Sequence, residues 1–150
     1  MAAEMPVKRS VVVDSEPSAV EPSCREILAR LEASGFSQDD IFAVHLALEE
    51  AFLNAVKHGN RMDPAKKVTI DYVVDQEKVE ICVTDEGPGF DPGGIPDPRV
   101  GQNLYRPEGR GLLLIRSYMH TVEYNERGNS LRMIRCKGRP VQERGRAGTT

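Results

Sequence analysis

One stretch constrains this 150-residue chain more than any other: residues 41–60, IFAVHLALEEAFLNAVKHGN. Ala, Leu, Glu and Lys dominate it, all strong helix formers, and the spacing predicts a helix of about five turns. Asp39 and Asp40 stand before it as candidate caps, and Gly59 supplies a glycine stop. At helical spacing Glu50, Asn54 and Lys57 share one stripe, with Ala43 and Ala47 above them. Leu48, Phe52, Leu53 and Val56 fall on the remaining arc and are expected to face a core. A row of carboxylate, amide and amine beside small residues is either a solvated face or one side of a binding site. The helix alone does not decide between them.

The flanking sequence sets the architecture. Val7 to Val13 reads as a strand, and residues 18–33 as a helix closed by Gly35. Apolar residues alternate at Val68, Ile70, Tyr72 and Val74 and again at Val79, Ile81 and Val83, with Gln76 and Glu77 between, which predicts an antiparallel hairpin. Residues 91–108 carry repeated Pro and Gly and fit no regular element; loops of that length in small domains are usually functional. An apolar helix is expected to open at Gly109-Arg110-Gly111, with Leu112 to Ile115 in the core. Two short strands, 121–125 and 130–135, form a closing hairpin. The order strand, helix, helix, strand, strand, loop, helix, strand, strand predicts an α+β domain with helices on one face of one sheet. That domain is expected over residues 7–137, with a Gly- and Arg-rich disordered tail over 138–150.

Composition removes several functional classes. A net charge of −3 gives no electrostatic basis for direct nucleic-acid binding. No apolar run reaches the ~20 residues of a membrane span, and the first residues lack a signal-peptide pattern. Cys24, Cys82 and Cys136 are odd in number and far apart, so they read as reduced thiols of a cytoplasmic protein. His45 and His120 read as ordinary helix residues.

Three separated pieces suit a nucleotide. Asp85, at a strand end, can accept from the exocyclic amine of adenine, and Gly87 and Gly89 let the backbone approach the base. Gly109 and Gly111 at a helix start can present N–H groups to phosphates. The amide oxygen of Asn54 suits Mg²⁺, which takes few protein ligands beside phosphates. Lys57 can reach a phosphate oxygen, and His58 beside it is a candidate for the same region or for a surface role. Glu50, one turn before Asn54, can serve as a base toward the terminal phosphate. The neighbouring Glu49 points about 100° away on a helix of this period. A P-loop is absent, and Leu114 stands where GxGxxG needs its third glycine.

EAFLNAVKHG (50–59 within it), DEGPGF (85–90) and GRGLLLI (109–115) together resemble the nucleotide boxes of the GHKL ATPases. The chain is most similar to their anti-sigma factor serine kinases. The resemblance implies the Bergerat fold, a two-layer α/β sandwich with a mixed, largely antiparallel sheet. It implies ATP and Mg²⁺ as cofactors, the metal on Asn54, adenine at Asp85 with Gly87 and Gly89, and phosphates at Gly109, Arg110, Gly111 and Leu112. It implies a lid over residues 91–108 and Glu50 as the base. The expected activity is phosphorylation of a serine on a STAS-type anti-anti-sigma partner, with sequestration of a sigma factor by a homodimer. The alternatives are a nucleotide-gated binding module without kinase activity and the catalytic domain of a sensor histidine kinase.

Overall fold

The computed structural model describes residues 6–89 and 107–141, with the backbone alone for 107–110. Its elements run β1 (Val7–Asp14), a 3₁₀ turn (Pro17–Val20), α1 (Glu21–Ala33), α2 (Gln38–Asn54), a π-helical turn (Ala55–Gly59), β2 (Lys67–Val74), β3 (Lys78–Asp85), α3 (Pro107–Tyr118), β4 (Thr121–Tyr124) and β5 (Ser130–Cys136). The five strands form one sheet in the order β1-β2-β3-β5-β4, and every described pair is antiparallel. The predicted α+β order is therefore present, with β5 inserted between β3 and β4.

Alternation decides which face is covered. Val68, Ile70, Tyr72 and Val74 of β2 are buried, as are Val79, Ile81 and Val83 of β3, while the residues between them are only partly covered. The register sets Ile70 opposite Val83 and Ile81 opposite Met133, so the apolar rows meet across strands. Ile27 and Leu31 of α1, Val44, Leu48 and Phe52 of α2, and Ile115 of α3 close the same core. Each such side chain contributes roughly 1.5–3 kcal/mol by leaving water.

Several helix boundaries differ from expectation. The cap of α2 is Ser37, whose hydroxyl accepts from Asp40 N–H at 3.1 Å while Asp40 Oδ2 accepts from Ser37 N–H at 3.2 Å. Asp40 is thus the return partner of a capping box, and the helix begins three residues before Ile41. Helix α3 starts at Pro107, which suits the first helical position, so the last two residues of the expected lid belong to the helix. The remainder of that lid, 91–106, lies outside the described residues. Leu112 and Ile115 are buried as predicted, but Leu113 and Leu114 are 42% and 39% exposed, because a helix in contact on one side turns two of four successive residues outward. Leu53 likewise is only partly buried.

Past β5 the chain stays attached. Lys137 N–H donates to the Glu77 carbonyl at 2.7 Å, its ammonium to the Ser34 carbonyl at 2.6 Å, and Gly138 N–H to Asp40 Oδ2 at 3.1 Å. Residues 142–150 of the expected tail lie outside the described residues.

Candidate nucleotide site

The site is assembled where α2, the loop after β3 and α3 meet. Helix α3 packs against α2, whose small residues Ala43 and Ala47 are both buried. At its near end Gly111 sits on the polar stripe. A Cβ added to Gly111 would lie 2.5 Å from Glu50 Oε1 and 3.0 Å from Asn54 Nδ2. Glu50, Asn54 and Gly111 of α3, separated by some sixty residues in sequence, are therefore neighbours in space. The first-turn N–H groups that lack helical partners include those of Glu108 and Gly109, since α3 begins at Pro107. Gly111 supplies closeness instead, and the side chain of Leu112 is in the core.

The second half of the site is a glycine-lined cradle around Asp85. Gly59 leaves no room for a side chain, because a Cβ there would overlap the Asp85 carboxylate, and a Cβ on Gly87 would overlap the Gly59 carbonyl. Gly87 N–H donates to Asp85 Oδ1 at 2.8 Å. Gly89 has φ +76°, a left-handed conformation that favours glycine, and its α-carbon abuts the carbonyl of Arg127 in the β4–β5 turn. Burial pushes the Asp85 carboxyl above the ordinary range; the Gly87 N–H and the charge of Lys66 pull the other way without cancelling it. A half-buried carboxylate with one such donor among the described residues is suited to take another from a ligand amine.

Between the two halves, α2 does not end as an ordinary helix. Residues 55–59 form a π turn, closed by Asn60 N–H donating to the Ala55 carbonyl at 2.7 Å. The predicted stripe holds through Asn54; beyond it the winding loosens, so the α-helical phase assumed for Lys57 no longer applies. Lys57 and His58 are both exposed on this turn. Arg61 and Met62 follow with φ of +53° and +62°, each costing about 1 kcal/mol for a residue with a Cβ. They bring the chain back sharply, and Met62 N–H donates to the Val56 carbonyl at 2.8 Å. Asn60, fully buried at this corner, had no place in the sequence-based site. Its signal was an amide directly after the stop glycine, which reads as a plain turn residue.

The cradle fits an adenine nucleotide at the level of its donors and acceptors. No group of three or more His, Cys, Asp or Glu residues that could hold a metal exists among the described residues. An oxygen-preferring ion that keeps waters and phosphate ligands needs no such group, and the amide of Asn54 beside Glu50 offers the oxygen donors. No helix among the described residues is long and apolar enough to cross a membrane.

Residues 13–135 match the family model described as a histidine kinase-like ATPase domain. A serine-protein kinase RsbW of Bacillus licheniformis is 35% identical over 97 residues, which cover 59% of this chain and 59% of that protein. A serine-protein kinase RsbW of Listeria monocytogenes is 29% identical over 140 residues, 89% of either chain. An anti-sigma F factor of Oceanobacillus iheyensis is 28% identical over 123 residues, covering 73% of this chain and 83% of that one. Among solved structures, the RsbU and RsbW domains of a Mycobacterium tuberculosis protein superpose with TM-score 0.58 at 18% identity, covering 89% of this chain and 34% of the longer one.

Proposed function

The chain belongs to the family of histidine kinase-like ATPase domains, and from that premise we propose that it is an ATP-dependent protein serine kinase acting as an anti-sigma factor. It phosphorylates a serine on a STAS-type anti-anti-sigma protein and sequesters a sigma factor. The observation that supports this reading is the contact of Gly111 with Glu50 and Asn54, so that a phosphate held at the start of α3 would lie beside a carboxylate. Relatives named serine-protein kinase and anti-sigma F factor support it.

Each residue then has a definite task. Asp85 accepts from the adenine amine, held in place by the close approach that Gly59 and Gly87 permit around its carboxylate. Asn54 would hold Mg²⁺, and the ion would supply neutralisation of charge on the phosphates. The N–H groups at the start of α3, with Gly109 and Arg110, face the phosphates, and Lys57 and His58 extend the positive side from the π turn. Glu50 takes the proton of the incoming serine hydroxyl. Positioning supplies most of the rate in such a reaction. The protein works in the cytoplasm as a homodimer in this reading, an assignment supported by the exposed Val12 on the edge strand β1.

The test is incubation with γ-labelled ATP, Mg²⁺ and a purified STAS-type protein. Labelled phosphoserine on the partner is the expected product. Nucleotide binding without any phosphoserine would instead identify a nucleotide-gated sequestering module.

A further inference from the structure

Asn60 commits every polar group of its side chain around the cradle. Its Nδ2 donates to Ser15 Oγ at 3.0 Å and to the Lys67 carbonyl at 2.9 Å, and its Oδ1 accepts from Glu86 N–H at 2.7 Å. Its backbone N–H closes the π turn on Ala55, and its carbonyl accepts from Asp63 N–H at 3.0 Å. One fully buried amide therefore joins the end of α2, the residue after β1, the first residue of β2 and the residue between Asp85 and Gly87.

The placement of the last bond matters most. Glu86 N–H is held by Asn60, and the next N–H, of Gly87, is spent on Asp85 Oδ1. The two peptide units that follow Asp85 are thus fixed in succession, and Gly59, next to Asn60, abuts the carboxylate itself. Hydrogen bonds weaken steeply with misalignment, so a rotation of these peptides would re-aim the carboxylate. The inference rests on the reading of Asp85 as the adenine contact. We propose that Asn60 is a positioning residue that aims the Asp85 carboxylate, and so sets how strongly the site prefers a 6-aminopurine over a 6-oxopurine nucleotide.

An asparagine that only stabilised the fold would lower the melting temperature and leave that preference alone. Calorimetric titration with ATP and with inosine triphosphate, both with Mg²⁺, separates the two roles. The proteins are the wild type, Asp85→Asn, Asn60→Ser, Asn60→Asp and Ser15→Ala, each well below its melting temperature. The wild type is expected to prefer ATP by about tenfold or more, the worth of one hydrogen bond to a charged group, and Asp85→Asn to erase the preference. Asn60→Ser and Asn60→Asp are expected to weaken ATP binding while sparing inosine triphosphate, narrowing the ratio about fivefold or more. Ser15→Ala, which removes one of the acceptors, narrows it less and serves if the Asn60 variants do not fold. A wild type without preference overturns the Asp85 reading and this inference together. A preference that Asp85→Asn erases but that survives in Asn60→Ser, or in Ser15→Ala where the Asn60 variants do not fold, overturns the inference alone.

Discussion

Gly87 and Gly59 meet backbone to backbone: a Cβ built on Gly87 would fall inside the carbonyl oxygen of Gly59. The contact ties the loop after β3 to the π turn at the end of α2, and Asp85 is held in the corner it makes. The obstacle to a larger residue is main chain, not a movable side chain. Gly87→Ala is therefore expected to force the two segments apart at a cost of about 1–3 kcal/mol. The Gly87 N–H moves with them and leaves Asp85 Oδ1. Thermal melting should show the loss of stability, and calorimetry should show ATP affinity falling about tenfold or more beyond wild type. Wild-type ATP affinity in a destabilised Gly87→Ala protein would separate the contact from the site.

Asp85 carries a cost in the free protein that the proposed adenine contact would offset. Burial raises its folded-state pKa, so the folded protein binds this proton more tightly than the unfolded chain. Ionised Asp85 then opposes folding at neutral pH, and the opposition disappears as pH falls through the raised value. Asp85→Asn keeps an acceptor for Gly87 N–H and removes the charge. Its melting temperature at pH 7 should equal or exceed the wild type's, and the gap should close on acidification. ATP binding should weaken by roughly 1.5–3 kcal/mol through loss of the charged acceptor. A melt series from pH 7 to 4 with parallel calorimetry checks both, and a variant that is less stable yet binds ATP normally would reverse the assignment.

Glu50 and Asn54 lie side by side against Gly111 yet should fail differently. Asn54→Ala removes the proposed metal ligand and is expected to abolish Mg²⁺-dependent ATP binding. Glu50→Ala should spare binding and remove phosphotransfer, general-base contributions being about 10²–10⁴-fold. Single-turnover transfer to the STAS-type partner, run beside nucleotide titrations, distinguishes them. Transfer at the wild-type rate by Glu50→Ala would eliminate the base assignment.

What could be read from the chain follows from how local each signal is. The β2–β3 hairpin is written in strict alternation around a two-residue turn, and Gly35 at φ +81° ends α1 as its position implies. The stripe of Glu50 and Asn54 needs only helical period. The π turn has no comparable mark, since Ala55, Val56, Lys57 and His58 all suit an ordinary helix. Pro107 did announce the start of α3, but Gly109 and Gly111 argue against helix and shift the expected start inward. Asp39 and Asp40 outshine Ser37 as caps on charge alone, although the capping box needs the hydroxyl first. Leu113 and Leu114 read as core because an apolar run does not say which side of a helix is covered. The partners of Asn60 and Arg135 lie up to 45 and 95 residues away, beyond any pattern in a window.

Arg135 shows what such a distant pairing contributes. Its Nε donates to Asp40 Oδ1 at 2.9 Å and its Nη1 to the Tyr118 carbonyl at 2.6 Å, in the interior between β5, the start of α2 and the end of α3. Burial alone would raise the Asp40 carboxyl, but bonds from Gly138, Arg135 and Ser37 hold it below the usual range. Removing the arginine leaves a carboxylate that is only 1% exposed without its countercharge, so Arg135→Met is expected to cost about 3–5 kcal/mol. The double variant Asp40→Leu/Arg135→Met should recover much of that, because the buried charge leaves with its partner. Since the folded pKa of Asp40 is depressed, its contribution is present above the unfolded value and is lost as pH falls through the folded one. Urea unfolding of the three proteins from pH 7 down to pH 3 reads both effects. Equal stability of Arg135→Met and wild type at pH 7 would show that the Ser37 and Gly138 N–H groups suffice for Asp40 without the arginine.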